Sequence, residues 1–133
     1  MATLTPKLTL TGTAADFGNA IASGQYVSGL SNSTRGLITG AVNQADTIDY
    51  VTIASVGNAA DFGNLTDGRS GTAALASTTR GVCGGGTDPG ESNIMDYVTI
   101  ASTGNATDFG DVTDNGRNAA ATSNGHGGLW AKN

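Results

Sequence analysis

One histidine, one cysteine and six Lys or Arg, beside eleven Asp or Glu, are a sparse supply of charged and strongly nucleophilic groups for 133 residues. His126 stands alone, so no two-histidine metal site can form within one chain. Its register makes it a turn or strand-entry residue. Cys83, inside "RGVCGGG", reads as a small buried hydrophobe, and a lone cysteine permits no intrachain disulfide. A Cys83–His126 nucleophile pair would need the two side by side, and nothing in the sequence brings them together. Asp49, Asp96, Asp61 and Asp108 could supply a general acid and base. They recur at matching places, however, which suits turn formation and strand-end capping better than catalysis. The run "GGGTDPG" lacks the Gly-Lys-Ser/Thr of a phosphate loop and the nine-residue recurrence of a calcium β-roll, so a turn is expected there. The sequence therefore predicts a protein that is not an enzyme, with no catalytic, cofactor-binding or metal-ligating residue.

Composition narrows the remaining classes. Leu, Ile, Val and Phe number 24 of 133, a thin supply for a core, yet only 13% of residues are charged and the net charge is −5. Low charge argues against disorder, and the 21 glycines suggest short strands joined by tight turns around small side chains. Lys7, Arg35, Arg69, Arg80, Arg117 and Lys132 are scattered, which speaks against nucleic-acid binding. No apolar run is long enough to span a bilayer, and "MATLTPKLTL" has no signal-peptide core. No membrane insertion is expected, and synthesis is expected in a cytoplasm. Three Asn-X-Ser/Thr triplets, at Asn32, Asn64 and Asn105, read as incidental to a composition rich in Asn and Thr. Trp130 is a candidate interface residue, with a core role as the competing reading.

The positions that must hold these residues are set by a repeat. "IDYVTIASVGNAADFG" (48–63) returns as "MDYVTIASTGNATDFG" (95–110), and Asp-Phe-Gly occurs at 16–18, 61–63 and 108–110. A related segment follows each triplet at constant distance: "TRGLITG" from Thr34, "TRGVCGGG" from Thr79 and "HGGLWA" from His126. Each unit carries four strand-like runs. "DYVTIA" alternates and is rich in β-branched residues, "ADFGNLT" ends at Asp67-Gly68 or Asn115-Gly116, and "GTAALAS" and "RGVCGGG" complete the set. The glycines of the last run suit close backbone approach. Phe17, Phe62 and Phe109 are expected to be equivalent core positions. The fold class predicted is all-β, with four strands per unit, the size of a propeller blade.

The order Gly84–Gly86, Asp96-Tyr97, Phe109, Arg117, with Asp49-Tyr50, Phe62 and Arg69 in the preceding copy, resembles the kelch repeat. More closely, "DYVTIASTGNATDFGDVT", "STTRGVCGGG" and "SNGHGGL" are similar to the kelch-like repeats of virion proteins of marine bacteriophages, especially those of cyanobacteria. "MATLTPKLTL" also resembles the start of small phage structural proteins. The chain departs from the kelch pattern in having Phe for the usual Trp, Gly24 where the first arginine would fall, and Gly40 for the first glycine pair. The resemblance implies a non-enzymatic virion structural protein of tail, fibre or capsid surface, made in the host cytoplasm and partnered by other phage structural proteins. The alternative is a carbohydrate-binding propeller lectin that attaches to host-surface glycans by stacking sugars on Tyr50, Tyr97 or the repeated phenylalanines.

Cut by strand type, residues 1–133 form a single kelch-like repeat domain: a half-blade at 1–18, full blades at 19–66 and 67–113, and a half-blade at 114–133. "TPKLTL" and "ADFG" are the two strands of the first half. A propeller usually closes with about 4–8 blades, so one such chain is expected to close only by oligomerising. Pairing of half-blades would give a six-bladed homodimer; the other outcome is a chain lying on a larger virion protein that covers its strand edges.

Overall fold

The computed structural model describes residues 12–21, 24–43 and 45–123, and the backbone of 128–131. These residues are all-β and contain no helix, hence none long and apolar enough to cross a membrane. The first sheet is a four-stranded antiparallel meander, β1 (Ser28–Ser31), β2 (Arg35–Thr39), β3 (Thr47–Thr52) and β4 (Ala60–Asn64), with strands in chain order. The second repeats it with β5 (Ala73–Ala76), β6 (Arg80–Gly84), β9 (Ile94–Thr99) and β10 (Thr107–Asp111). Between β6 and β9 the "GGGTDPG" run forms a minimal hairpin of β7 (Thr87–Asp88) and β8 (Gly90–Glu91). A third unit begins with the hairpin β11 (Ala120–Ser123) and β12 (Gly128–Ala131). Both four-stranded sheets are open at their edges. The expected strand "TPKLTL" lies outside the described residues, and no strand is formed at 15–18.

Corresponding strands pair in the same register. Leu37 faces Tyr50 across β2–β3 as Val82 faces Tyr97 across β6–β9. In both units the last strand bulges at its phenylalanine, so that Phe62 and Phe109 are passed over in the pairing. Asp67-Gly68 does not turn a hairpin, because the strands on either side of it belong to different sheets. The dipeptide instead bends the chain from the last strand of one unit to the first strand of the next.

The core lies between the sheets. Leu30, Leu37, Ile48 and Phe62 of the first unit pack with Cys83, Val98 and Ile100 of the second, and small residues such as Ala74 and Ala76 flank them. Gly81 is required here: a Cβ on it would stand 2.7 Å from Leu30 Cδ1. Of the three phenylalanines expected in the core, Phe62 alone is buried, at 2% exposure, against 38% for Phe17 and 47% for Phe109. The physical reason differs at the two ends: Phe17 lies beside the following unit's Gly57–Ala59 but has no sheet of its own among the described residues. Phe62 is covered by the following unit, whose Ala106 packs against the same cluster. Phe109 has no following unit over it among the described residues.

Phe62 meets Tyr50 edge-on, with centroids 5.9 Å apart and planes at 78°. Phe62→Ala should therefore lower unfolding free energy by about 3–5 kcal/mol. Phe109→Ala, with the same edge contact to Tyr97 but half exposed, should cost about 1 kcal/mol or less. Urea denaturation of the two variants measures the difference.

Candidate functional site

The surfaces that recur in this molecule are the junctions between units, and three sets of residues build them. The outermost begins with the aspartate of each Asp-Phe-Gly triplet. Asp16, Asp61 and Asp108 each accept a hydrogen bond through Oδ1 from the N–H two residues on, at Gly18 (3.2 Å), Gly63 (3.1 Å) and Gly110 (2.9 Å). These are Asx turns, as expected for Asp61 and Asp108. Each holds its glycine at positive φ, +147° at Gly18 and Gly63 and +127° at Gly110. The backbone of the next unit then comes so close that a Cβ on Gly18 would sit 2.1 Å from the Gly57 carbonyl oxygen, and one on Gly63 2.3 Å from that of Gly104.

Across this contact the units are joined by main-chain hydrogen bonds. Gly57 N–H donates to the Phe17 carbonyl and Ala59 N–H to that of Asn19, both at 2.8 Å. One unit on, Gly104 and Ala106 donate to Phe62 and Asn64, both at 2.7 Å. An asparagine completes each junction: Asn58 Oδ1 accepts from Asn19 N–H at 3.0 Å, and Asn105 Oδ1 from Asn64 N–H at 3.1 Å. Asn64 and Asn105, two of the three Asn-X-Ser/Thr positions, thus have structural partners. So does Asn32, whose Oδ1 holds the turn at Thr34 and Arg35 and whose Nδ2 reaches the Thr78 carbonyl of the next unit at 3.2 Å.

A second ladder runs near the first strands. Tyr26, Gly71 and Asn118 all have positive φ, at 62°, 66° and 53°, and are spaced as the Asp-Phe-Gly triplets are. Gly71 N–H donates to the Tyr26 carbonyl at 3.0 Å, and Asn118 N–H to that of Gly71 at 2.9 Å. Sequence comparison misses this series because its three residue types differ. Only the spacing could have found it. Beside it, Ser28, Thr39 and Thr72 hydroxyls link the sheets, and Thr39 Oγ1 lies 3.3 Å from Cys83 Sγ.

The third element is a buried ion pair. Arg69, fully buried in the segment between the sheets, donates through Nη2 to Asp96 Oδ2 at 2.7 Å and through Nη1 to the Ile94 carbonyl at 3.1 Å. Asp96 also accepts from the Thr66 N–H, at 3.3 Å, and from the Thr66 hydroxyl. Asp49, its counterpart, accepts from Ile21 N–H at 2.9 Å. The two aspartates expected to cap strand ends are therefore buried anchors that tie the incoming segment to the sheet. Arg117 occupies the next unit's arginine position at the surface, 3.8 Å from Glu91.

Cys83 is buried, and burial raises its thiol from 9.0 to about 11 against a smaller lowering by the Thr39 hydrogen bond. Asp61 and Asp108 are engaged in their own turns. Among the described residues no three His, Cys, Asp or Glu side chains gather as metal ligands would. Tyr50 and Tyr97 are capped by guanidinium groups, Arg35 at 4.8 Å and Arg80 at 4.7 Å from the ring centroids. A depression of about 340 Å³ lies along the second ladder and includes Tyr26, Gly71, Arg117 and Asn118. His126 and the Trp130 side chain lie outside the described residues. No family model matches the chain, and no curated protein matches its sequence.

Removing one partner of a buried pair leaves a bare charge, so Asp96→Ala should destabilise by about 3–5 kcal/mol. The apolar double replacement Arg69→Met with Asp96→Leu should recover most of that loss, as read by thermal or urea unfolding.

Cys83 gives a pH test. Folded, it keeps its proton up to about pH 11, whereas the unfolded chain releases it near 9.0. Its contribution is fully present below pH 9 and is lost as pH rises through about 11, a fall of about 3 kcal/mol across the window. Cys83→Ala should lack that share of the alkaline decline.

Proposed function

We propose that this protein is a non-enzymatic structural part of a bacteriophage particle, a kelch-like module of tail, fibre or capsid surface that acts by fitting against neighbours. The observation that carries this reading is the repeated junction. Gly18 and Gly63, the asparagines Asn58 and Asn105, and the Tyr26–Gly71–Asn118 backbone series all join one unit to the next. A protein that places its most demanding chemistry in such contacts works through geometry. The phage assignment itself rests on the kelch-like segments around 96–113 and 78–86.

The lectin reading has less support. The aromatic faces it would use at Tyr50 and Tyr97 are covered by Arg35 and Arg80, and Phe62 is buried. Mass spectrometry of purified virions encoding this chain should find it at a fixed stoichiometry with the other structural proteins. Its absence from the particle would overturn the proposal, and selective retention on a glycan array would favour the lectin.

A further inference from the structure

Among the described residues both hydrogen-bond ladders stop with complementary groups showing. At one end the carbonyls of Phe109 and Asp111, which correspond to Phe62 and Asn64, receive no donor from another unit among the described residues, and neither does that of Asn118. At the other end the N–H groups of Gly12, Ala14 and Tyr26 donate to nothing among the described residues. Their sequence positions matter. "GTAADFG" at 12–18 stands in register with "GNAADFG" at 57–63 and "GNATDFG" at 104–110. Gly12 and Ala14 thus correspond to Gly57 and Ala59, and to Gly104 and Ala106, the residues that donate at the two internal junctions. Tyr26 corresponds to Gly71 and Asn118, which donate along the second ladder.

The glycine cradle is repeated as well. Gly110 has the positive φ of its counterparts, but a Cβ on it would meet nothing within 4 Å, whereas those on Gly18 and Gly63 would strike the next unit's glycine carbonyl. Apolar exposure follows the same logic. Phe109 is open where Phe62 is covered by the following unit. Ile53, on the first unit, is 46% exposed where Ile100, in the second, is fully buried. Each end therefore shows a surface that the interior of the molecule has already matched to the other.

We infer that a second copy of this chain docks head to tail, its Gly12 and Ala14 N–H groups donating to Phe109 and Asp111 and its Tyr26 N–H to Asn118. This rests on the reading of the chain as an assembling structural part, and it identifies the occupant of the open end. The contact is heterologous, so it propagates three units per copy until a ring closes or a filament grows. Thr13 falls where Asn58 and Asn105 cap the internal junctions. Its shorter side chain makes the intermolecular junction the weaker one, and Asn at this position should strengthen it.

The test uses two full-length variants, Thr13→Cys and Asp111→Cys, with a short bis-maleimide. The buried, protonated Cys83 should stay unmodified. Mixed together, the two should give a cross-linked dimer that neither gives alone, and a chain carrying both should give a ladder. Ala14→Pro, which removes one donor that has no partner among the described residues, should weaken association about tenfold or more in sedimentation equilibrium. Thr13→Asn should tighten it. A cross-link formed by Thr13→Cys alone would indicate a symmetric contact and overturn the inference, as would a chain that stays monomeric and gives no mixed product. A monomeric chain found in virions would remove this junction and leave the structural role standing. Head-to-tail cross-linking in a chain absent from virions would support the junction and remove the role.

Discussion

Gly63 lets two backbones approach to a distance that no side chain permits, and the stacking of units depends on that approach. Its φ of +147° is held by the Asp61 carboxylate, and the space a Cβ would need is occupied by the Gly104 carbonyl. From that contact follow the two 2.7 Å hydrogen bonds to Phe62 and Asn64, and with them the placing of Ala106 over the core. A larger residue would push the second unit away and expose Phe62. The Asp-Phe-Gly triplet is thus one device with three parts: the aspartate sets the backbone, the glycine admits the neighbour, and the phenylalanine fills the space the neighbour then covers.

The lean apolar composition is intelligible in these terms. Small residues flank the core where the sheets meet, and polar groups come into mutual reach beside it: Ser28 to Thr72, Thr39 to Cys83, Arg35 to the Ile100 carbonyl at 2.9 Å. Hydrogen bonds satisfied inside such an interface contribute modestly each, about 1 kcal/mol. Their greater value is that any other packing would leave the same groups buried and unpaired. The Arg69–Asp96 pair is the strongest case. It offsets the cost of two buried charges with bonds to Ile94 and Thr66, yet Arg69 Nε remains without a hydrogen-bond partner. Its contribution lies in specifying how the segment at 66–70 enters the second sheet more than in net stability.

Much of the fold was legible because the repeat announced it. The 45- and 47-residue spacings of Asp-Phe-Gly, the alternation in "DYVTIA" and the glycine-rich "RGVCGGG" led to four strands per unit, and two four-stranded antiparallel sheets are present. The burial of Phe17 and Phe109 could not be read this way, because a sequence match equates positions whose neighbours differ. Burial needs both the residue's own sheet and the unit that covers it; among the described residues Phe17 lacks the first and Phe109 the second. The bend at Asp67-Gly68 shows the same dependence on neighbours: the dipeptide permits a tight reversal, but what it joins depends on which strands pair. Arg69 was visible as a recurring arginine, yet nothing in its spacing said that it would be buried against Asp96. The Tyr26–Gly71–Asn118 series left a signal only in its spacing, since a left-handed backbone can be occupied by glycine at no cost and by asparagine or tyrosine under tertiary constraint.

Register is the remaining problem for strands made of such residues. A slip by one residue normally moves a strand's large apolar side chains to the wrong face, and that penalty fixes the pairing. In β5, "AALA", the penalty is small, because three of four side chains are the same methyl group. The molecule fixes register there by other means. Ser77, just past β5, links to Arg80 by main-chain and side-chain hydrogen bonds that set the turn into β6. Thr72, just before β5, is held by the Ser28 hydroxyl across the sheet junction. Both ends of the strand are therefore pinned by polar groups, one by its own turn and one by the preceding unit. A unit of this kind receives part of its register from its neighbour, so the junctions that join units also help to define each unit's internal pairing.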